Sequence, residues 1–286
     1  MTGLLVVQGV VSGMCLGGTY ILLGLGMTLI LSVMNILQFS HGQVYMVGAF
    51  TVYFLTVDAG LSIYIAVPIA MVTTSILGLF IERIFLRPVK GDFLGYVLVT
   101  SGLGLIMEVL VVGVFGLGVK QVPSLCSGSI EISGMFFARD RLIALLISAV
   151  LVSVLQMFLK KSKFGLALMA SAQNPEGAIL QGINPNVMSA LVVAIGSGIA
   201  AVGGALGGSI FNLDPYMGGA AFGKGIALIV IGGLGSVMGT VVGGLMLGLS
   251  DYLVALFFGS QVASAIPLCI VVIFLLFRPR GLFGHD

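Results

Sequence analysis

Long, unbroken apolar runs decide what this chain can fold into. Leu4–Met34, Gly42–Ala59, Ser62–Ile81, Phe93–Phe115, Leu142–Leu159, Val187–Phe211, Gly223–Phe258 and Val262–Phe277 follow one another with short polar gaps. Most are close to the roughly 20 residues that an α-helix needs to cross a bilayer. They are continuously apolar rather than alternating, which excludes a β-barrel. The balance of residue types agrees, with 59% hydrophobic and 8% charged, against about 25% charged in an average soluble domain. The 12 Lys+Arg and 10 Asp+Glu cannot supply the polar surface of a water-soluble fold of 286 residues. The expected fold class is therefore all-α. Residues 1–286 read as one polytopic transmembrane domain of about eight or nine helices, some of them broken or short.

Glycine is the other constraint. Most of the 43 glycines lie inside the apolar runs, with no collagen-like period. In lipid, small residues let helix backbones approach closely, and they tolerate interrupted helices beside a protected cavity. Leu4–Met34 is too long for one upright span and carries Gly13, Gly17, Gly18, Gly24 and Gly26, so it is either one tilted helix or a broken one. Gly223–Phe258 is expected to break at Gly232, Gly233, Gly235 and Gly239. Met1–Val11 lacks Lys and Arg, so the first run reads as a retained span rather than a cleaved signal.

Three basic clusters, Arg83/Arg87/Lys90, Lys160/Lys161/Lys163 and Arg278/Arg280, hold most of the positive charge. The positive-inside rule places them in the cytoplasm, with the carboxyl terminus. The loop from Leu117 to Arg141 is then outside, although it carries Lys120, Arg139 and Arg141. Splitting Gly223–Phe258 gives the even number of crossings needed between the Lys160 and Arg278 clusters.

Few side chains suggest chemistry. Glu108 is a carboxylate inside a span, a functional candidate by default, although a hydrogen-bonded Glu joining two helices is the commoner role. Asp251 falls late in its run and is expected to be solvated near an interface. Lys224 lines an outer mouth or snorkels to the headgroups. His41 reads as a helix-end packing residue in preference to a proton relay, and Glu82, Arg83 and Arg87 as an interfacial anchor. Cys15, Cys126 and Cys269, with His41 and His285, form neither a disulfide framework nor a metal site. The net charge of +2 comes without a basic patch dense enough for nucleic acid.

The most informative polar stretch is Lys160–Asn184. Asn174 can cap a short helix, Pro175 suits its first turn, and Glu176 favours the positive end of its dipole. Gly182, with Asn184 and Pro185, would close it. Such a helix is either a cytoplasmic docking element or a connector.

These residues resemble a known family. Glu176-Gly177-Ala178 followed by Gly182 is similar to the Glu-Ala-Ala…Gly motif of ABC-importer permeases, and Ala170–Ile183 resembles the version in LivH-type branched-chain amino acid permeases. The likeness extends along nearly the whole chain. Gln38-Phe39-Ser40-His41-Gly42-Gln43 resembles the family's Asn-Phe-Ala-His-Gly-Glu segment, Arg87-Pro88 follows the third span, Gly232-Gly233-Leu234-Gly235-Ser236 matches a late glycine motif, and Arg278-Pro279-Arg280-Gly281-Leu282 closes the chain. Met169 stands where the family usually has Arg, Gly177 replaces the central Ala, and Gln38 and Gln43 replace Asn and Glu.

The resemblance implies a permease subunit without catalytic residues, metal or cofactor of its own, in the bacterial cytoplasmic (inner) membrane. Its partners would be a second, homologous or identical permease subunit, two cytoplasmic ATPases that use ATP and Mg, and an extracytoplasmic solute-binding protein. A cytoplasmic coupling segment, about 164–184, would contact an ATPase through Ala170, Asn174, Glu176, Gly177, Ala178, Gly182 and Ile183. A side chain at Gly182 would meet backbone or ATPase surface. The translocation pathway would be bordered by Asn35, Gln38, His41, Gly42, Gly232, Gly233 and Gly235. The cargo would be a branched-chain or other hydrophobic amino acid, with urea, short amides or another small organic solute as alternatives.

Three rival readings come from other classes. The Asn174-Pro175 and Asn184-Pro185 pairs suggest an aquaporin-like channel, but they lie in one polar loop and cannot meet as opposed half-helices. An intramembrane protease built on Ser101, Ser209 and His41 lacks a nucleophile elbow. An ion-coupled secondary transporter would use broken helices but needs ionisable coupling groups at mid-membrane.

Overall fold

The computed structural model describes residues 2–132 and 135–259 and, beyond them, residues 262, 265, 269–271, 274, 276 and 281–283. Most of the Val262–Phe277 run, and Arg278, Pro279, Arg280 and His285, therefore lie outside the described residues. The helices are α1 (Thr2–Met34), α2 (His41–Tyr53), α3 (Ile63–Ile81), α4 (Phe93–Phe115), α5 (Arg139–Lys161), α6 (Lys163–Gln173), α7 (Pro175–Leu180), α8 (Pro185–Ile210), α9 (Met217–Gly232) and α10 (Val237–Phe258). Among the described residues, 6 helices are long and apolar enough to span a membrane: α1, α3 with its extension to Val89, α4, α5, α8 and α10. The chain is an all-α polytopic membrane protein.

Helix α1 is the axle of the bundle. Its 33 residues form one uninterrupted helix, about 50 Å long at 1.5 Å per residue, which resolves the tilted-or-broken alternative. It packs against α5, α8, α9 and α10, and the glycines that suggested a break are where those neighbours come closest. A Cβ on Gly13 would lie 2.9 Å from the Leu249 Cα, and one on Gly17 2.8 Å from the Gly244 carbonyl oxygen. Without a hydrophobic drive between helices in lipid, such backbone approach supplies the packing.

Around this axle α8 is nearly all buried, whereas α3, α4 and α5 each leave most of their surface on the outside of the bundle. α3 continues through a π-helical turn, Glu82–Leu86, and a 3-10 turn, Arg87–Val89. There Glu82 is buried and accepts from Arg87 Nη2 at 2.9 Å. Lys90, which follows these turns, lines one cavity with Val33 and Met34 of α1, and α5, with Lys160 and Lys161 in its last turn, packs along α1 and leads into α6, which also touches α1; this is the basic end of the molecule.

The opposite end holds an element without a sequence signal. Ser129–Ile132 and Met135–Ala138 form a two-stranded antiparallel hairpin, tied to α1 by Gln8 Nε2 donating to the Phe136 carbonyl at 2.7 Å. Each strand has 4 residues, too few for alternation to register.

The expected break in Gly223–Phe258 is present. α9 stops at Gly232, the chain turns through Gly233 (φ +99°) and Gly235 (φ +82°), and α10 starts at Val237. The turn packs on Ser32 of α1, whose hydroxyl donates to the Gly235 carbonyl at 3.0 Å. Leu282 N and Phe283 N donate to the Ile231 and Gly232 carbonyls at 2.9 and 3.1 Å. Two of the orphan carbonyls that a helix end leaves are thereby satisfied.

Candidate functional site

The basic end is built around α7. Asn174 is its N-cap, with Oδ1 accepting from Gly177 N at 2.8 Å, and Pro175 occupies the first turn. At the other end Gly182 N donates to the Ile179 carbonyl at 2.9 Å and Ile183 N to the Ala178 carbonyl at 3.0 Å, with Gly182 at φ +80°. This is a Schellman closure, which needs a left-handed residue at the position of Gly182. No atom lies within 4 Å of a Cβ built there. The glycine is therefore demanded by backbone conformation and not by a close neighbour within this chain, which corrects half of the expectation for this residue.

A helix missed in the sequence, α6, holds α7 in place. Ser162 caps it, accepting from Gly165 N at 2.8 Å, and Gly165, Leu168 and Ser171 face inward. The signal was available in Ser162 and the three-residue spacing, but the stretch is too polar to resemble a span. Ala178 is buried, Ala170, Gly177 and Ile183 are half-buried, and Asn174, Glu176 and Gly182 are exposed. Leu180 is 85% exposed. With Phe164, Leu166, Met169 and Ile179 it leaves an apolar surface on α6 and α7, and such a patch rimmed by polar residues marks an interaction site.

Between α7 and the end of α1 lies a cavity of about 520 Å³. Its walls include Met34, Asn35, Tyr96, Ala178, Ile183 and Met188. It brings together Asn35, expected at the pathway, and Ala178 and Ile183, expected in the coupling segment. Asn35 is itself the one described non-glycine residue with positive φ, +53°, and it is where the chain leaves α1 and turns back into the bundle.

That turn leads to the second part of the site. Residues 36–40 are buried or half-buried, and α2 starts beside Gly104, the midpoint of α4: a Cβ on Gly104 would lie 3.3 Å from the Gln43 side chain. His41 is wedged between α1 and α8, since a Cβ on Gly26 would lie 2.6 Å from both His41 Nε2 and the Gly196 carbonyl oxygen. The first turn of α9 abuts that of α2. Gly42 lies against the Gly218 carbonyl and Phe222, Gly218 against Gln43, and the Phe39 and Phe222 rings are 5.2 Å apart.

Two helices therefore begin deep inside the bundle with their N-terminal turns in contact. Helix N-termini carry free N–H groups and the positive end of the dipole. Gln38 Oε1, both His41 ring nitrogens and Gln43 Oε1 are buried without a hydrogen-bond partner among the described residues, a local density of unpaired polar atoms that packing alone does not call for. Gln38, His41 and Gly42 thus belong to one locus, whereas Gly232, Gly233 and Gly235 sit at the basic end in the α9–α10 turn.

Glu108 is half-buried on α4 and joins no ion pair among the described residues. Asp251 departs from expectation. It is buried in α10, and its Oδ2 lies 2.7 Å from Lys224 Nζ of α9 and 2.8 Å from the Tyr20 hydroxyl of α1. Apparent distance from the middle of a run misled the sequence reading, because α10 starts at Val237 and leans on the longer α1.

The chain is thus a glycine-packed membrane bundle with helices starting in its interior and a separately capped helix exposed at its basic end. The family model described as the branched-chain amino acid transport system permease component matches residues 9–276, and the chain belongs to that family. It is similar to the high-affinity branched-chain amino acid transport system permease protein BraD of Pseudomonas aeruginosa, 28% identical over 97% of this chain and 95% of that protein. It is likewise similar to the LivH protein of Escherichia coli, named for the same system, at 29% identity with 97% and 95% covered. Among solved structures, PsaBC from Streptococcus pneumoniae in complex with Fab matches with a TM-score of 0.48 and 13% identity, covering 96% of this chain and 91% of that one.

Proposed function

We propose that this chain is the membrane-spanning permease subunit of an ATP-driven importer that carries branched-chain or similar hydrophobic amino acids. The observation that carries the reading is α7. It is a 6-residue helix closed at both ends, exposed on one face and joined on the other to the Asn35 turn through a shared cavity. Coupling requires an element whose contacts differ between two states of a partner, and α7 with α6 offers that surface. On this reading the basic end is cytoplasmic, one of two ATPases binds α6–α7 through Phe164, Met169, Ile179 and Leu180, and closure of the ATPases is transmitted to α1 and the Asn35–Gln43 stretch. ATP and Mg belong to those partners. A second permease subunit would complete the pathway, and a binding protein would deliver substrate at the hairpin end.

Helix N-termini in the interior suit a cargo with a carboxylate, which favours an amino acid over urea or a neutral amide. The test is reconstitution in lipid vesicles with the ATPases, second permease and binding protein encoded alongside. Leucine uptake that requires both ATP and binding protein supports the reading. Uptake of urea or a short amide alone would replace the substrate class.

A further inference from the structure

We propose that Lys224, Asp251 and Tyr20 form a transit site for the head group of a zwitterionic amino acid, with its carboxylate on Lys224 Nζ and its ammonium on Asp251. The inference rests on the permease reading above and adds the residues that read the substrate's charges.

The starting point is cost. Lys224 and Asp251 are charged groups within apolar helices, and ionisable residues there mark pathways more often than they add stability. A buried ion pair contributes little that well-packed apolar side chains would not, so holding α9 to α10 and α1 does not by itself call for charge.

The pair is also incomplete. Lys224 Nζ donates to Asp251 Oδ2 at 2.7 Å and to the Tyr20 hydroxyl, which in turn donates to the same Oδ2 at 2.8 Å. Asp251 Oδ1 is buried with no partner among the described residues. An ammonium has three donors, so Lys224 keeps one N–H beyond these two bonds. The pair thus leaves one buried acceptor without a partner on the anion and one free donor on the cation. An α-amino acid carries the complementary pair.

Access is one-sided. The Lys224 side chain is 27% exposed and that of Asp251 6%. Gly219 and Gly223 lie on the exposed side of α9, where nothing comes within 4 Å of a Cβ built on either, and Gly223 is the residue next to Lys224. Lys224 is long and flexible and can swing from Asp251 to a carboxylate, opening Asp251 to the substrate's ammonium. One ion pair becomes two, and the site stays neutral throughout. A monoanion or monocation would instead leave an uncompensated charge in a poorly solvated place, which is strongly unfavourable. Tyr20 keeps Asp251 hydrogen-bonded during the exchange.

The test uses the full complex in vesicles and two measurements. In the first, K224M/D251L replaces the pair by apolar groups. If the pair is only a latch, this variant assembles and takes up leucine at the native rate. The transit site predicts assembly, read by co-purification, with leucine uptake lowered at least about tenfold. In the second, both charges are kept and Gly223→Cys is introduced in a background with Cys15, Cys126 and Cys269 replaced by Ser. Leucine should slow maleimide labelling of this cysteine during turnover, and isovaleramide, which lacks both charges, should not. Native uptake by K224M/D251L, or labelling indifferent to leucine, overturns the inference while the permease reading stands. Absence of leucine uptake by the native complex overturns that reading and the transit site with it.

Discussion

Replacing Gly182 separates two accounts of why a glycine stands at the end of α7. Its φ of +80° places it in the left-handed region, where an L side chain costs about 1–2 kcal/mol and Asn pays least. Since a Cβ there meets no atom of this chain within 4 Å, no steric term is added inside the subunit, and the cost is the same for a small or a large side chain. What it weakens is the pair of bonds from Gly182 N and Ile183 N at 2.9 and 3.0 Å. A loss of 1–2 kcal/mol lowers the closed-to-frayed ratio of α7 by a factor of about 5–30. Binding-protein-stimulated ATP hydrolysis in vesicles reads that ratio, because only a formed α7 presents Ile179 and Leu180 to an ATPase. Gly182→Ala and Gly182→Leu should impair stimulation alike, and Gly182→Asn should retain most of it. If Ala is harmless and Leu and Asn both abolish stimulation, the constraint is contact with a partner surface, and the conformational argument is wrong.

Asn174→Ala removes the cap on Gly177 N and should cost about 1 kcal/mol of α7 stability, seen as weaker co-purification of ATPases, whereas the exposed Glu176→Gln should change it little. Gly42→Val would push a branched side chain into the Gly218 carbonyl and Phe222; overpacking costs about 1–3 kcal/mol and should part α2 from α9, so uptake falls while the protein still inserts. Gly233→Leu forces a side chain onto φ +99° and should lower the thermal midpoint of the purified subunit as well as uptake, an effect that a purely pathway-lining residue would not have on stability. In a background without Cys126 and Cys269, cysteine at Ser129 should react with an impermeant thiol reagent outside sealed cells and cysteine at Gln181 should not; the reverse pattern would invert the orientation.

The spans were legible because lipid imposes a length and an apolar character that few other structures share. Phe93–Phe115 matches α4 residue for residue, and the Gly232–Gly235 break was visible because glycines cluster there after an over-long run. The caps of α7 were equally legible, since Asn174, Pro175 and Gly182 each act on local backbone. Depth was not. Gly42–Ala59 was read as an ordinary span, yet α2 starts at the level of Gly104 because residues 35–40 fold back into the bundle, and hydropathy cannot report where along a neighbour a helix begins. Nor was the pairing of Lys224 with Asp251 accessible, because their 27-residue separation is bridged only when α9 and α10 pack against α1. The α1 glycines had two readings, break or contact, and the partner helices decided for contact.

On the proposed function this chain moves its cargo by a contact between α6–α7 and an ATPase. The most direct measurement is uptake of labelled leucine into vesicles containing the complete complex, with ATP present or absent and with proton and sodium gradients imposed or abolished. The account predicts uptake that needs ATP and binding protein and ignores both gradients. Uptake by the permease alone, driven by an imposed ion gradient without ATPases, would contradict it.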